Sequence, residues 1–128
     1  MLETVKWLHV ETSTRCNAWC SSCGRNKNGF GLSDFVIEDL PVQRLKEVID
    51  LLPSLDTVQF CGNLGDPCAS KIINDQLNVI RGKNLNLQLH TNGSLRTAEW
   101  WSQVARTFKN KIEVWFAIDG LEDTHAIY

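Results

Sequence analysis

Val5-Lys6-Trp7-Leu8-His9-Val10 is a short apolar run that leads, through Glu11-Thr12-Ser13-Thr14-Arg15, into the loop Cys16-Asn17-Ala18-Trp19-Cys20-Ser21-Ser22-Cys23. The same sequence of events recurs along the chain. Thr57 to Cys61 runs into Gly62-Asn63-Leu64-Gly65-Asp66-Pro67, Leu85 to His90 into Thr91-Asn92-Gly93, and Ile112 to Ile118 into Asp119-Gly120. Helical patterns fill the gaps. Leu45, Val48, Ile49 and Leu52 fall at i, i+3, i+4 and i+7 between Pro41 and Leu52, with Pro41 suited to a first turn. Ser70 to Arg81 carries Ile73, Leu77 and Ile80 on one face and Gly82 as a stop. Thr97 is placed to cap a third helix, with Glu99 in its first turn and Trp100, Val104 and Phe108 along one side.

Alternation of strand and helix, βαβαβαβ, predicts an α/β fold with a parallel sheet and right-handed crossovers. The expected architecture is a partial TIM-like (βα) barrel. In such folds ligands gather beyond the carboxyl ends of the strands, and each unusual polar motif here follows a strand. The expectation extends to the chain's length: a fourth strand, Val114 to Ile118, would stand as an unpaired apolar edge. The 128 residues therefore read as one domain, the N-terminal portion of a larger barrel, truncated after its fourth strand.

Composition narrows the function. The chain is 43% hydrophobic and 22% charged, with a net charge of −2 and scattered basic residues. That lacks the electrostatic footprint of a general nucleic-acid binder. No apolar run approaches the roughly 20 residues of a membrane span, and Met1-Leu2-Glu3-Thr4 does not open a signal peptide. Five cysteines, three of them clustered, do not form a secreted disulfide framework. The expectation is a cytoplasmic protein.

Thiolates are soft ligands for zinc, copper(I) or iron–sulfur clusters. A structural zinc site takes four protein ligands, whereas this loop offers Cys16, Cys20 and Cys23. Two readings follow. A zinc knuckle would recruit His9 or another cysteine as fourth ligand; a four-iron cluster would leave one iron open.

The motifs together resemble those of the radical SAM superfamily, over roughly Trp7 to Tyr128. CxxxCxxC is followed by Gly65-Asp66-Pro67, similar to the family's Gly-Gly-Glu-Pro, then by Thr91-Asn92-Gly93 and by Ile118-Asp119-Gly120. The resemblance implies that Cys16, Cys20 and Cys23 ligate a 4Fe–4S cluster whose fourth iron is chelated by S-adenosylmethionine. It implies Gly62, Gly65, Asp66, Thr91, Asn92 and Asp119 as contacts of that cofactor, with the Asp66 carboxylate receiving the methionyl ammonium. The implied activity is reductive cleavage of S-adenosylmethionine to a 5′-deoxyadenosyl radical that abstracts hydrogen from a substrate. An electron donor of flavodoxin or ferredoxin type would be the partner, and a peptide is the substrate class suggested by analogy. Departures are Ser22, where the family often has an aromatic residue near the adenine, and Ala117 in place of a serine; Trp19 is a candidate substitute for the former. The rival functions are a non-enzymatic zinc or iron–sulfur binding module and a truncated, inactive family member.

Other residues carry plainer expectations. His90 alternates away from Leu85, Leu87 and Leu89, toward the barrel interior or as an ordinary polar strand residue. His9 and His125 are read without a chemical role, and Glu11 and Thr12 as support for the cysteine loop. Cys61 and Cys68 are expected as small buried residues, Trp100 and Trp101 as core, and Arg25 and Lys27 as a solvated face. Gly24 to Ser33 is long and glycine-bearing enough to cover the site.

Overall fold

The computed structural model describes residues 2–21, 23–26 and 35–125. Four strands, β1 (Trp7–Val10), β2 (Thr57–Phe60), β3 (Asn86–Thr91) and β4 (Ile112–Phe116), alternate with helices α1 (Val42–Asp50), α2 (Ile73–Gly82) and α3 (Ala98–Phe108); a short α4 (Glu122–His125) follows. Every strand pair is parallel and the order is β1-β2-β3-β4. Sequential order with no reversal is the winding of a barrel, not of a doubly wound sheet with a switch point. The chain is an α/β fold of partial (βα) barrel type.

Register explains which face is dry. Leu8, Val58, Leu87 and Ile112 stand side by side across the four strands, as do Val10, Phe60, Leu89 and Val114. Strand side chains alternate faces, so both rows point the same way, toward the helices. Val58, Phe60, Leu87 and Leu89 are fully buried there with Leu45 and Ile49 of α1, Ile73, Leu77 and Ile80 of α2, and Val104 and Phe108 of α3. The opposite face carries His9, Gln59, Gln88, His90, Glu113 and Trp115. That places His90 on the barrel-interior side, where it stacks on Trp115 at 5.4 Å between centroids.

Element ends differ from the sequence reading in instructive ways. Pro41 precedes α1 as its N-cap instead of opening its first turn. Gly82 is still helical, and the chain reverses at Asn84, whose φ of 58° is the left-handed conformation that asparagine tolerates. Val48 of the predicted stripe is 37% exposed, since the core needs only Leu45, Ile49 and Leu52 from that turn. Thr97 caps α3 as expected, its hydroxyl accepting from the Trp100 N–H at 3.2 Å. Trp100 and Trp101 pack against the core edge-to-face, 4.8 Å apart. Among the described residues no helix is long and apolar enough to cross a membrane.

Candidate functional site

The carboxyl ends of the strands hold the polar motifs, and backbone contacts bind these motifs into one rim. After β1 the chain passes Glu11 to Arg15 and enters the cysteine loop. The Glu11 Oε1 accepts from the Leu64 and Gly65 N–H groups at 2.7 and 2.9 Å, gripping the loop after β2. The Asp66 N–H in turn donates to the Arg15 carbonyl at 2.7 Å. Contact this close leaves no room for side chains. A Cβ on Gly62 would stand 2.3 Å from the Gly65 oxygen, and one on Gly65 would stand 1.8 Å from the Ser13 oxygen.

Asp66 is 5% exposed and its oxygens are committed. Oδ1 accepts from the Cys68 N–H at 2.8 Å, Oδ2 from the Asn92 N–H at 2.7 Å, and the Thr91 hydroxyl reaches both oxygens at 2.9 and 3.0 Å. The carboxylate thus caps the 3₁₀ turn Pro67–Ala69 and clamps the end of β3. Thr91 is buried beside it, and the Thr91 carbonyl accepts from the Ala117 N–H at 2.9 Å, extending the tie to the chain leaving β4.

Cys16, Cys20 and Cys23 form no disulfide and are partly exposed. The Cys23 N–H donates to the Cys20 carbonyl at 3.1 Å and the Asn26 N–H to the Cys23 carbonyl at 2.9 Å, so the second half of the loop is a tight turn. Burial, opposed by its own backbone N–H, and then the neighbouring Cys16 and Cys23 thiols and Asp119 push the Cys20 thiol above its ordinary pKa. Cys16, Cys23 and Asp119 thus each lie within electrostatic reach of Cys20. Among the described residues no three His, Cys, Asp or Glu side chains converge as a single bound ion would require. His9, the fourth ligand of the zinc-knuckle reading, turns its Nε2 to the Cys61 carbonyl at 2.9 Å.

Asn17 and Asn92 join the cysteine loop to the loop after β3. The Asn92 Nδ2 donates to Asn17 Oδ1 at 3.0 Å and approaches Cys16 Sγ at 3.9 Å, while the Asn17 Nδ2 donates to the Ser94 hydroxyl at 2.8 Å. Of the sequence-predicted site residues, Cys16, Asp66, Thr91 and Asn92 are linked by direct hydrogen bonds. Gly62 and Gly65 shape the adjoining loop.

Three residues were missed or misread. Arg25 is 6% exposed, not solvated: its Nη1 donates to the Thr14 carbonyl at 3.2 Å and to the Leu64 carbonyl, and its guanidinium lies over the Phe35 ring. Arg96, at a left-handed φ of 76°, fastens the loop after β3 to the turn at Pro67 through the Cys68 and Ser70 carbonyls, at 2.9 and 2.7 Å. Gln76, fully buried, donates from Nε2 to the Thr12 and Leu40 carbonyls. Only Gln76 left a signal, a polar residue on the apolar face of α2. Cys68 is buried as expected, with burial its main cause for a thiol pKa of about 11, whereas Cys61 is half-buried. Ser22, Lys27 and the bulk of the covering segment, 27–34, lie outside the described residues.

A groove of about 560 Å³ runs along the outer side of the rim between Arg15, Cys16 and Asn17 and the start of α3 at Arg96 to Trp100. A larger cleft, about 740 Å³, lies between α1 and α2 and touches none of the rim motifs.

This arrangement has counterparts. BtrN, a radical SAM enzyme crystallised in an open conformation, superposes with a TM-score of 0.65 over 91% of this chain, at 16% identity. The likeness is one of fold. The tungsten-containing aldehyde ferredoxin oxidoreductase cofactor-modifying protein of Pyrococcus furiosus is 27% identical over 103 residues, 79% of this chain. The chain spans 28% of that relative and 58% of the BtrN chain. No protein-family model matches it.

Proposed function

We propose that the chain is the core of a radical SAM enzyme, in which Cys16, Cys20 and Cys23 hold a 4Fe–4S cluster and S-adenosylmethionine occupies the open iron. The observation that carries this reading is that the cysteine loop is tied to the loops after β2 and β3 through Asn17, Asn92 and Asp66, with the Cys16 sulfur in the contact. The donor chemistry suits the group: three cysteines in one loop would supply three soft ligands and leave one iron free. A thiol that is protonated in the free protein gives up its proton on binding metal, so the raised pKa of Cys20 makes loading favour higher pH.

When bound, these groups supply one-electron reduction and a carbon-centred oxidant that takes a hydrogen atom from the substrate. The chain's own residues bind, orient and shield. Gly62 and Gly65 let the loop after β2 close against itself and against the exit of β1, which shapes the rim for the cofactor. Asp66 holds Thr91 and Asn92 in place beside it, and Asp119 faces the cysteine loop from the fourth strand's exit. The open polar face of the sheet, with His90 and Trp115, leads from the rim toward the substrate. A flavodoxin- or ferredoxin-like protein is the proposed electron donor, and a peptide the proposed substrate class. The cofactor-modifying relative adds a cofactor-bearing partner protein as a second class.

The test is anaerobic reconstitution with iron and sulfide, followed by EPR of the reduced protein with and without S-adenosylmethionine. A 4Fe–4S signal that changes with the cofactor and is lost in Cys20→Ala is the expected result. Zinc bound in place of a cluster, or a cluster indifferent to the cofactor, moves the chain to the non-enzymatic module.

A further inference from the structure

The amide of Asn92 has only one possible orientation. Its Oδ1 accepts from the Ser94 backbone N–H at 2.9 Å and from the Ser94 hydroxyl at 2.6 Å. A backbone N–H can only donate, so the oxygen must sit there and Nδ2 must face the other way. On that side stand Asn17 Oδ1 at 3.0 Å and Cys16 Sγ at 3.9 Å, one acceptor for each amide hydrogen. Cys16 Sγ also accepts from the Ala18 N–H at 3.4 Å. Two N–H groups, one from its own loop and one from the loop after β3, therefore converge on this sulfur. The carbonyl end of Asn92 is thus fixed by one loop while its nitrogen is aimed at another.

We propose that Asn92 is a positioning residue that sets the reduction potential of the iron–sulfur group held by the loop. This rests on the radical SAM reading above. Hydrogen bonds to a cysteine sulfur withdraw electron density from the thiolate and ease reduction of the iron it binds. The second hydrogen bond on Cys16 raises the potential, and its strength is under the control of Ser94 and Asn17, which hold the amide. Because the Asn92 backbone N–H also donates to Asp66 Oδ2, at 2.7 Å, the loop after β2 contributes to the same aim.

The experiment is an EPR-monitored redox titration of the reconstituted 128-residue chain, comparing the wild type with Asn92→Asp and Asn92→Ala. Asn92→Asp keeps the size and the acceptor for Ser94 but has no hydrogen to give Cys16. Both variants are expected to hold a cluster with a lower potential, the ratio of reduced to oxidised cluster at a fixed poise falling roughly threefold to tenfold; tenfold is about 59 mV for a one-electron couple. Asn92→Asp, which adds a negative charge, is expected to shift further. Loaded variants whose potentials equal that of the wild type overturn the inference and leave the radical SAM reading standing. Variants that load no cluster while the wild type loads one overturn it too, by showing that Asn92 only assembles the loop. A wild type that takes up no 4Fe–4S cluster overturns the reading on which the inference rests.

Discussion

Gly65 packs against the backbone of Ser13 so closely that a Cβ at position 65 would stand 1.8 Å from the Ser13 carbonyl oxygen and 2.9 Å from that of Arg15. Neither atom belongs to a flexible side chain, so an added methyl must separate the two loops. Separation breaks the Asp66 N–H bond to Arg15 and loosens Glu11 from the Leu64 and Gly65 N–H groups. Gly65→Ala is expected to destabilise the fold by at least about 2 kcal/mol and to abolish any response of a bound cluster to S-adenosylmethionine. Denaturant unfolding measures the first, and EPR the second. Wild-type stability in Gly65→Ala would mean that the two loops are not in contact in solution.

Gln76 fastens three segments at the same end of the sheet. Its Nε2 donates to the Thr12 carbonyl at 3.0 Å and the Leu40 carbonyl at 2.9 Å, and its Oε1 accepts from the Ser70 hydroxyl at 2.9 Å. Gln76→Leu preserves size and apolar fit on α2 but strands buried polar partners. The expected loss is about 2–4 kcal/mol, lowering Tm by on the order of 10 °C. An unchanged Tm would show that water or side-chain rearrangement takes over all three bonds.

The strands and helices were legible because their signals are local. Leu45, Ile49, Ile73, Leu77, Ile80, Val104 and Phe108 fall at helical spacing and are buried where the spacing puts them. Parallel order could be read too, since four apolar runs separated by helices leave few other windings. The site was legible only as a set of loops at one rim. What each residue does there depends on partners distant in sequence. Arg25 is 39 residues from Leu64, whose carbonyl its guanidinium reaches, and Asn17 is 77 from Ser94. No local pattern shows such pairs. Asp66 illustrates the gap: in sequence it is a carboxylate after a glycine, ready for an ammonium, while in the structure its oxygens accept from Cys68, Thr91 and Asn92.

His90 gives the chain a pH dependence whose sign follows from its surroundings. Burial, and then the nearby His9, hold its imidazole below the ordinary value against the pull of Glu113. The Gln59 Nε2 lies 2.9 Å from His90 Nε2 and, being only a donor, favours the neutral ring. With the folded pKa below the unfolded value of about 6.5, the unfolded chain binds more protons between the two. The stability contributed by neutral His90 is thus complete above about pH 6.5 and is lost as pH falls through the folded pKa. His90→Phe keeps the stack on Trp115 and removes the titration, so the drop in Tm between pH 7.5 and 5.5 should shrink. An equal drop in both proteins would assign the pH dependence elsewhere.

Asp66 can be a clamp or a ligand, and Asp66→Asn separates the two. A clamp is required by the fold whether or not a cofactor is present. Replacing one carboxylate oxygen by an amide nitrogen sets a donor against the Cys68 or Asn92 N–H, breaking a charge-assisted bond in a buried site. The fold should lose about 2–3 kcal/mol in the cofactor-free protein. A loosened Asn92 should also move away from Cys16, so that a reconstituted cluster in Asp66→Asn shifts in potential in the same direction as in Asn92→Ala. A carboxylate whose work is to receive an ammonium behaves otherwise: its loss weakens S-adenosylmethionine binding, leaves the unfolding midpoint alone and leaves the potential of the cofactor-free cluster unchanged. Its burial and its three donors favour the first outcome, and chemical denaturation of the cofactor-free variant measures it directly.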